Sequence, residues 1–405
     1  MADIFEKIDK DVPRARNSKK QMCPTNTKIS WEDEYFRRIS DSQPRIFNIP
    51  SFLYIFLCLS GLVEESDSNS FYRATTVVFK IVVIFTSLNV WISSVIQYDA
   101  HSLKLIFGTL CSYLLVLGVY FPIQSKRKQL SRTICKISKI TSFTHSKKIN
   151  VFTFILFSMP VIFSILITLT SPRKWLAKFE AFGYEVQDSV AQILLISIKS
   201  YIHALIHPII SNVVTLLFCL LFYCCSSAIC DITNEILLIS PEAFEPTKQI
   251  DILRRKARID DVLDSIQHLF SSPSFFIIVT NFLSCGNVIG WYLYYDLGDY
   301  RAYMFIESLI YGVNGFGCLI CILWMAGSVS VYMQNLKEAF HRKAHLRAIL
   351  LHRMQEPQLK RELFEKPDFT FTACDIISMK KSTILAVIGT LLTYTVLIIN
   401  VKNQS

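Results

Sequence analysis

The residues of this chain with chemical capability are polar side chains set inside long apolar runs. The final run, Ser382 to Val401, is about twenty residues long, enough to cross a bilayer as a helix. At helical spacing, Ala386, Gly389, Thr390, Thr393, Leu397, Asn400 and Val401 share an arc of roughly 120°, with Ile384, Ile388, Leu391, Thr395 and Ile398 opposite. Such a stripe on a membrane helix either packs closely on a neighbour or lines water. His203 and His207 are four apart, a spacing that suits a metal, but no acidic or cysteine partner lies nearby in sequence, so packing or a pocket-wall role is favoured. Cys318 and Cys321 have redox or metal spacing without further ligands and read as small packing residues. No nucleophile–base constellation, metal cluster or phosphate loop is present. The sequence therefore argues against an enzyme, and no metal or cofactor is expected.

The elements that must position these residues are membrane helices. Of 405 residues, 52% are hydrophobic, and Phe occurs 30 times against 12 Gly. Mean hydropathy is +0.38. The expected fold is all-α and polytopic, with seven spans near 74–97, 103–123, 150–170, 203–228, 273–295, 303–330 and 382–401. A short apolar segment near 46–63, with Asn48 and Pro50, reads as interfacial. The polar first 44 residues contain no cleavable signal, so the first span is expected to direct insertion. Lys and Arg crowd the tail and the loops at 124–149, 248–258 and 337–381, whereas the other side has Arg173, Lys174, Lys178, Arg301 and Lys402. The positive-inside rule then puts the N-terminus in the cytoplasm and the C-terminus outside, the reverse of a seven-helix G-protein-coupled receptor. The net charge of +10 is thus a topology signal, and no nucleic-acid partner is expected. The outer loops hold no cysteine, so no extracellular disulfide is expected.

Four regions follow: a cytoplasmic tail at 1–44, membrane helices one to six within 45–330, cytoplasmic anchor helices at 331–381, and a last helix with a short outer tail at 382–405. Helical character in the fourth span runs from about Gln192 to Leu238, roughly 70 Å at 1.5 Å per residue, with a kink expected at Pro208. Amphipathic cytoplasmic helices are expected around Ile259, Val262, Leu263, Ile266 and Leu269, and around Leu336, Phe340, Leu346, Leu350 and Met354. Each must bury its apolar side on the overhanging spans or on other copies of the chain; docking on the membrane surface is the competing reading. Ser272-Pro273 has the form of a cap and first position for span five, and 369–379 reads as helix.

The end of the chain resembles the insect gustatory receptor family, the gustatory branch of the seven-helix insect chemoreceptors. Its mark is Thr-Tyr, five hydrophobic residues, then Gln-Phe. Here the segment runs Thr393-Tyr394-Thr395-Val396-Leu397-Ile398-Ile399-Asn400-Val401, preceded by Phe371-Thr-Ala-Cys374 and Ile388-Gly-Thr390. Asn400 and Val401 depart from Gln-Phe. Thr395 replaces a hydrophobic position and is not the acidic residue that sugar-sensing members tend to carry after Thr-Tyr. The specific match covers 369–401, and the span pattern agrees over the whole chain.

The resemblance implies a plasma-membrane, ligand-gated, non-selective cation channel of sensory neurons, a homo- or heterotetramer with related subunits that detects small-molecule tastants, bitter or other non-volatile compounds rather than sugars. It places the gate on Leu397 and Val401, with Asn400 and Thr393 facing water. It places the ligand pocket in the outer half of spans two to six, where the candidates are Tyr113, Gln192, Tyr201, His203, Trp291, Tyr294, Glu307, Tyr311 and Asn314. An odorant-receptor-type chemoreceptor channel is the nearest alternative.

Overall fold

A computed structural model describes residues 50–64, 70–97, 100–141, 146–294, 301–351 and 369–404. The expected tail at 1–44 and Met354 lie outside the described residues. So do the side chains of Tyr294 and Val401. The helices are α1 (Ser51–Leu59), α2 (Ser70–Gln97), α3 (Ala100–Ser125), α4 (Arg127–Ile140), α5 (Ser146–Thr170), α6 (Arg173–Glu180), α7 (Ser189–Ile206), α8 (Ile209–Leu238), α9 (Pro246–Tyr294), α10 (Arg301–Ser308), α11 (Asn314–Leu350) and α12 (Lys381–Gln404). A π-helical stretch, Leu309–Val313, joins α10 to α11.

Among the described residues, five helical segments are apolar and long enough to cross a membrane: 70–96, 147–170, 189–238, 246–293 and 302–350. Shorter apolar helices at 110–125 and 381–397 fall where the second and seventh spans are expected. α2 and α5 turn large apolar side chains outward, among them Val78, Ile81, Phe85, Phe154, Ile155 and Ile162. A water-facing surface would not carry such a contiguous apolar face, and hydrocarbon favours it. α1 has nine residues, too few to span, and packs Phe56 on Phe79 and Phe157 at 6.0 and 4.5 Å between ring centroids.

α8 is apolar on nearly every side and is buried accordingly. It breaks from α7 at His207 and Pro208, where the kink was expected. The same overhang occurs twice more, and here the structure differs from the expectation of separate cytoplasmic helices. α9 is one helix of 49 residues, about 74 Å long, joining the predicted amphipathic segment to span five. Pro273 lies inside it and does not start a span. Proline costs the helix a backbone bond, but the buried series Leu263, Ile266, Phe270, Ile277 and Ile278 continues through it and holds both sides in place. Likewise α11 carries span six without interruption into the Leu336 segment.

The ends of α8, α9 and α11 pack together. Phe218 and Phe222 of α8, Phe270 of α9 and Phe371 form a ring cluster at 4.4 to 5.6 Å. Lys343 donates to the carbonyls of Leu237 and Ile239 at 3.1 and 2.6 Å, placing a cation at the C-terminus of α8. Glu235 pairs with Lys248 at 2.6 Å and with Arg255. Leu336 and Phe340 are buried, while Leu346 and Leu350 are exposed on the single chain.

Residues 369–379 form no helix. Thr372–Ala373 and Ile377–Ser378 pair as antiparallel strands β1 and β2. Cys374 and Asp375 between them take φ of 51° and 56°, a left-handed geometry of the kind tight hairpins use. The helical period is overruled by tertiary bonds. Gln267 of α9 donates to the Thr372 carbonyl at 2.8 Å and accepts from its N–H at 3.1 Å. Ser271 donates to the same carbonyl at 3.1 Å and accepts from the Cys374 N–H at 2.9 Å. Phe371 and Met379 are buried on either side.

Candidate functional site

The final helix begins where α11 comes close enough to need glycine. A Cβ on Gly327 would lie 2.7 Å from the Lys381 backbone nitrogen. Lys381 stands over the Trp324 ring at 4.5 Å. From there α12 lies against α9 and α11 on one side. Leu391 is 7% exposed, and Ile384, Val387, Ile388 and Thr395 are partly covered. Ala386, Gly389, Thr390, Thr393, Leu397 and Asn400 all face outward, Leu397 at 57% exposure, and a Cβ on Gly389 would meet no atom within 4 Å. Tyr394 sits at the edge, close enough to Gly286 that a Cβ there would be 3.6 Å from its ring. Thr390 and Thr393 donate to the carbonyls of Ala386 and Gly389, both at 2.9 Å, so neither hydroxyl needs a partner on another helix.

A second concentration of polar groups lies at the opposite end of the bundle from the overhanging helices. The short α6 packs into it with Leu176 and Ala177 buried against Phe163, Ile167 and Ile196. This buries Glu180 at the C-terminus of α6, 4% exposed. Lys199 of α7 reaches it with two contacts, the Glu180 carbonyl at 2.6 Å and Oε2 at 3.5 Å, and also donates to Asn89 Oδ1 of α2 at 3.3 Å. His203 Nδ1 is 3.8 Å from Glu180 Oε1. The Tyr113 ring of α3 meets His203 and His207 edge-on at 5.9 and 5.4 Å. Tyr311, on the π-helical stretch, stacks on His207 at 5.4 Å, packs on Phe163 at 5.9 Å, and shares a 3.4 Å hydroxyl contact with Tyr113. One helical turn earlier Glu307 accepts from the Tyr303 hydroxyl at 2.8 Å.

Of the residues singled out from sequence, Tyr113, His203, Glu307 and Tyr311 come together here. Gln192 instead donates to the Val186 carbonyl at 2.6 Å, fixing the loop before α7, whose cap is Asp188. Tyr201 faces outward at 39% exposure. Asn314 exchanges amide hydrogen bonds with Asn212 at 2.9 and 3.2 Å. Trp291 is partly buried on α9, and the side chain of Tyr294 lies outside the described residues. Sequence reasoning missed Glu180 and Lys199. A lysine inside an apolar run was the available signal, since such a charge needs a named partner. A separate cleft of about 410 Å³ lies between α8 and α11 at the overhanging end, with Asn234, Tyr332 and Arg342 in its wall. It contains none of the predicted residues.

The arrangement defines a class: an all-α, multi-pass membrane protein. No family model and no curated protein matches the chain. Among solved structures it is similar to the insect olfactory receptor OR5 from Machilis hrabei, with a TM-score of 0.63 at 14% identity over 91% of this chain and 99% of that one. It is also similar to that receptor in complex with eugenol, with a TM-score of 0.56 at 12% identity over 86% and 97% of the two chains. At these identities the likeness is one of fold.

Proposed function

We propose that this chain is a subunit of a ligand-gated, non-selective cation channel that detects small molecules, assembled as a homo- or heterotetramer in the plasma membrane of sensory cells. The observation that carries the reading is the orientation of α12. Ile384, Val387, Ile388, Leu391 and Thr395 pack on α9 and α11, and the small/polar stripe faces away from the chain beside the exposed Leu385, Leu392 and Val396. A helix that buries Leu391 and presents Thr393 and Asn400 fits a path shared with other copies better than it fits lipid. The seven-helix gustatory resemblance implies the same use of this helix, and the shared fold with an olfactory receptor supports a chemoreceptor. Four Leu397 side chains would close the path by dewetting, helped by Val401, while Asn400 amides would offer oxygen to a cation without fixed charge.

The ligand class follows the motif. Thr395 after Thr-Tyr favours a bitter or other non-volatile tastant over a sugar. The odorant-type reading is the second one, and the OR5 fold fits it equally. The cluster around Tyr113, His203, Glu307 and Tyr311 is the ligand site in either. The charge asymmetry of the loops places it outside, with the N-terminus in the cytoplasm.

Leu397→Ala should raise current in the absence of ligand, and Asn400→Asp should shift the reversal potential toward divalent cations. Leu391→Ala should lower expression without changing ion preference. If Leu391→Ala alters permeability and the stripe variants conduct like the parent, the path runs along the other side of α12. An N-terminal tag accessible in intact cells would restore the G-protein-coupled arrangement.

A further inference from the structure

The cluster at the α6 end has more hydrogen-bond acceptors than donors, and that imbalance specifies a ligand. Lys199 has three N–H bonds and places them toward the Glu180 carbonyl, Asn89 and Glu180 Oε2. Ser284 spends its only hydrogen on the Thr280 carbonyl at 2.9 Å. With its hydrogen on Thr280, Ser284 accepts from His207, 3.3 Å away, the arrangement in which the imidazole hydrogen sits on Nε2. In the neutral ring Nδ1 is then a bare lone pair. His207 is 2% exposed, and Nδ1 has no partner. Glu307 receives the Tyr303 hydroxyl, and among the described residues no cationic side chain forms an ion pair with it. Glu180 Oε2 also lacks a hydrogen bond of good geometry. Against these acceptors, the Tyr113–Tyr311 pair has one hydroxyl hydrogen to spare. Glu180 and Glu307 share the cluster with one lysine and the His203 ring, both beside Glu180, and the walls are the rings of Tyr113, Tyr311 and Phe163.

We infer that the ligand of this site carries a protonated amine on an aromatic or apolar body. Its N–H donors would meet Glu307 and His207 Nδ1, and its charge would lie among ring faces that attract cations. A neutral polyol would satisfy the acceptors but would bring no charge to pair with Glu307. An anion would add a third negative group. The inference rests on the cluster being the ligand site and goes beyond it by fixing the ligand's charge.

The test uses matched pairs in which only the amine is replaced by hydroxyl: phenethylamine with 2-phenylethanol, tyramine with tyrosol, and tryptamine with tryptophol. Binding is read as thermal stabilisation of the purified full-length receptor, and gating as whole-cell current. Amines should act at concentrations about ten- to a hundredfold below their alcohols, the range of a charge-assisted hydrogen bond, and Glu307→Gln should erase that gap. His207→Phe should weaken the amines more than the alcohols. Alcohols that match the amines, amines that neither bind nor gate, or a gap that survives Glu307→Gln would each overturn the amine assignment and leave the channel reading standing. Amine-selective binding lost in Glu307→Gln, with no current from either the parent or Leu397→Ala, would uphold the assignment and remove the channel reading.

Discussion

The two ends of the helical bundle solve opposite problems. At the overhanging end, Phe218, Phe222, Phe270 and Phe371 close on one another, and the hairpin strand is matched bond for bond, Gln267 and Ser271 each both donating to and accepting from it. At the α6 end, a carboxylate, a lysine and two histidines are gathered with little exposure, and two of their buried atoms, Glu180 Oε2 and His207 Nδ1, lack a hydrogen bond. Matched polar groups in an aromatic core specify one arrangement. Unmatched ones cost stability and persist where something else completes them.

The largest effect should come from Leu263→Asp. This residue is 0% exposed within the single chain, so an unpaired carboxylate there costs on the order of 5 kcal/mol or more. Size-exclusion profiles should show loss of the folded subunit itself. A monodisperse, folded monomer would mean that this face is buried only by other copies. An intermediate effect is expected at the other end. Lys199→Met strands Glu180 and should cost about 3 kcal/mol, seen as a lower melting temperature. Adding Glu180→Met should recover most of it, since a buried pair replaced together by apolar side chains is close to neutral. Failure of the double variant to recover would show that Glu180 has a further partner. The smallest effect should be Ser271→Ala, about 1 kcal/mol for its bonds to the hairpin. A melting temperature equal to the parent's would show that Gln267 alone fixes the hairpin.

Periodicity in the sequence made the helices legible, and it also placed the break at Pro208 and the two faces of α12. It did not resolve where helices join. Ser272-Pro273 has the same form as a start and as an interior proline, and only the buried residues on both sides decide between them. The hairpin at 372–378 was hidden because its geometry comes from Gln267 and Ser271, about a hundred residues away. At the candidate site, residues within apolar runs were visible one at a time. Glu180 was not, because its burial depends on α6 folding back into the bundle, which no local pattern encodes.

The hairpin also bears on motion of the last helix. Its bonds to α9, with the close contact of Lys381 at Gly327, fix the base of α12, while the far end is gripped on one side only. From Lys381 to Leu397 is about 24 Å at 1.5 Å per residue. A rod pivoted at its base magnifies angle into travel: a tilt of about 5° moves its tip by about 2 Å over that length. Small rotations at a stationary hinge are therefore enough to displace Leu397 by more than the radius of a water molecule.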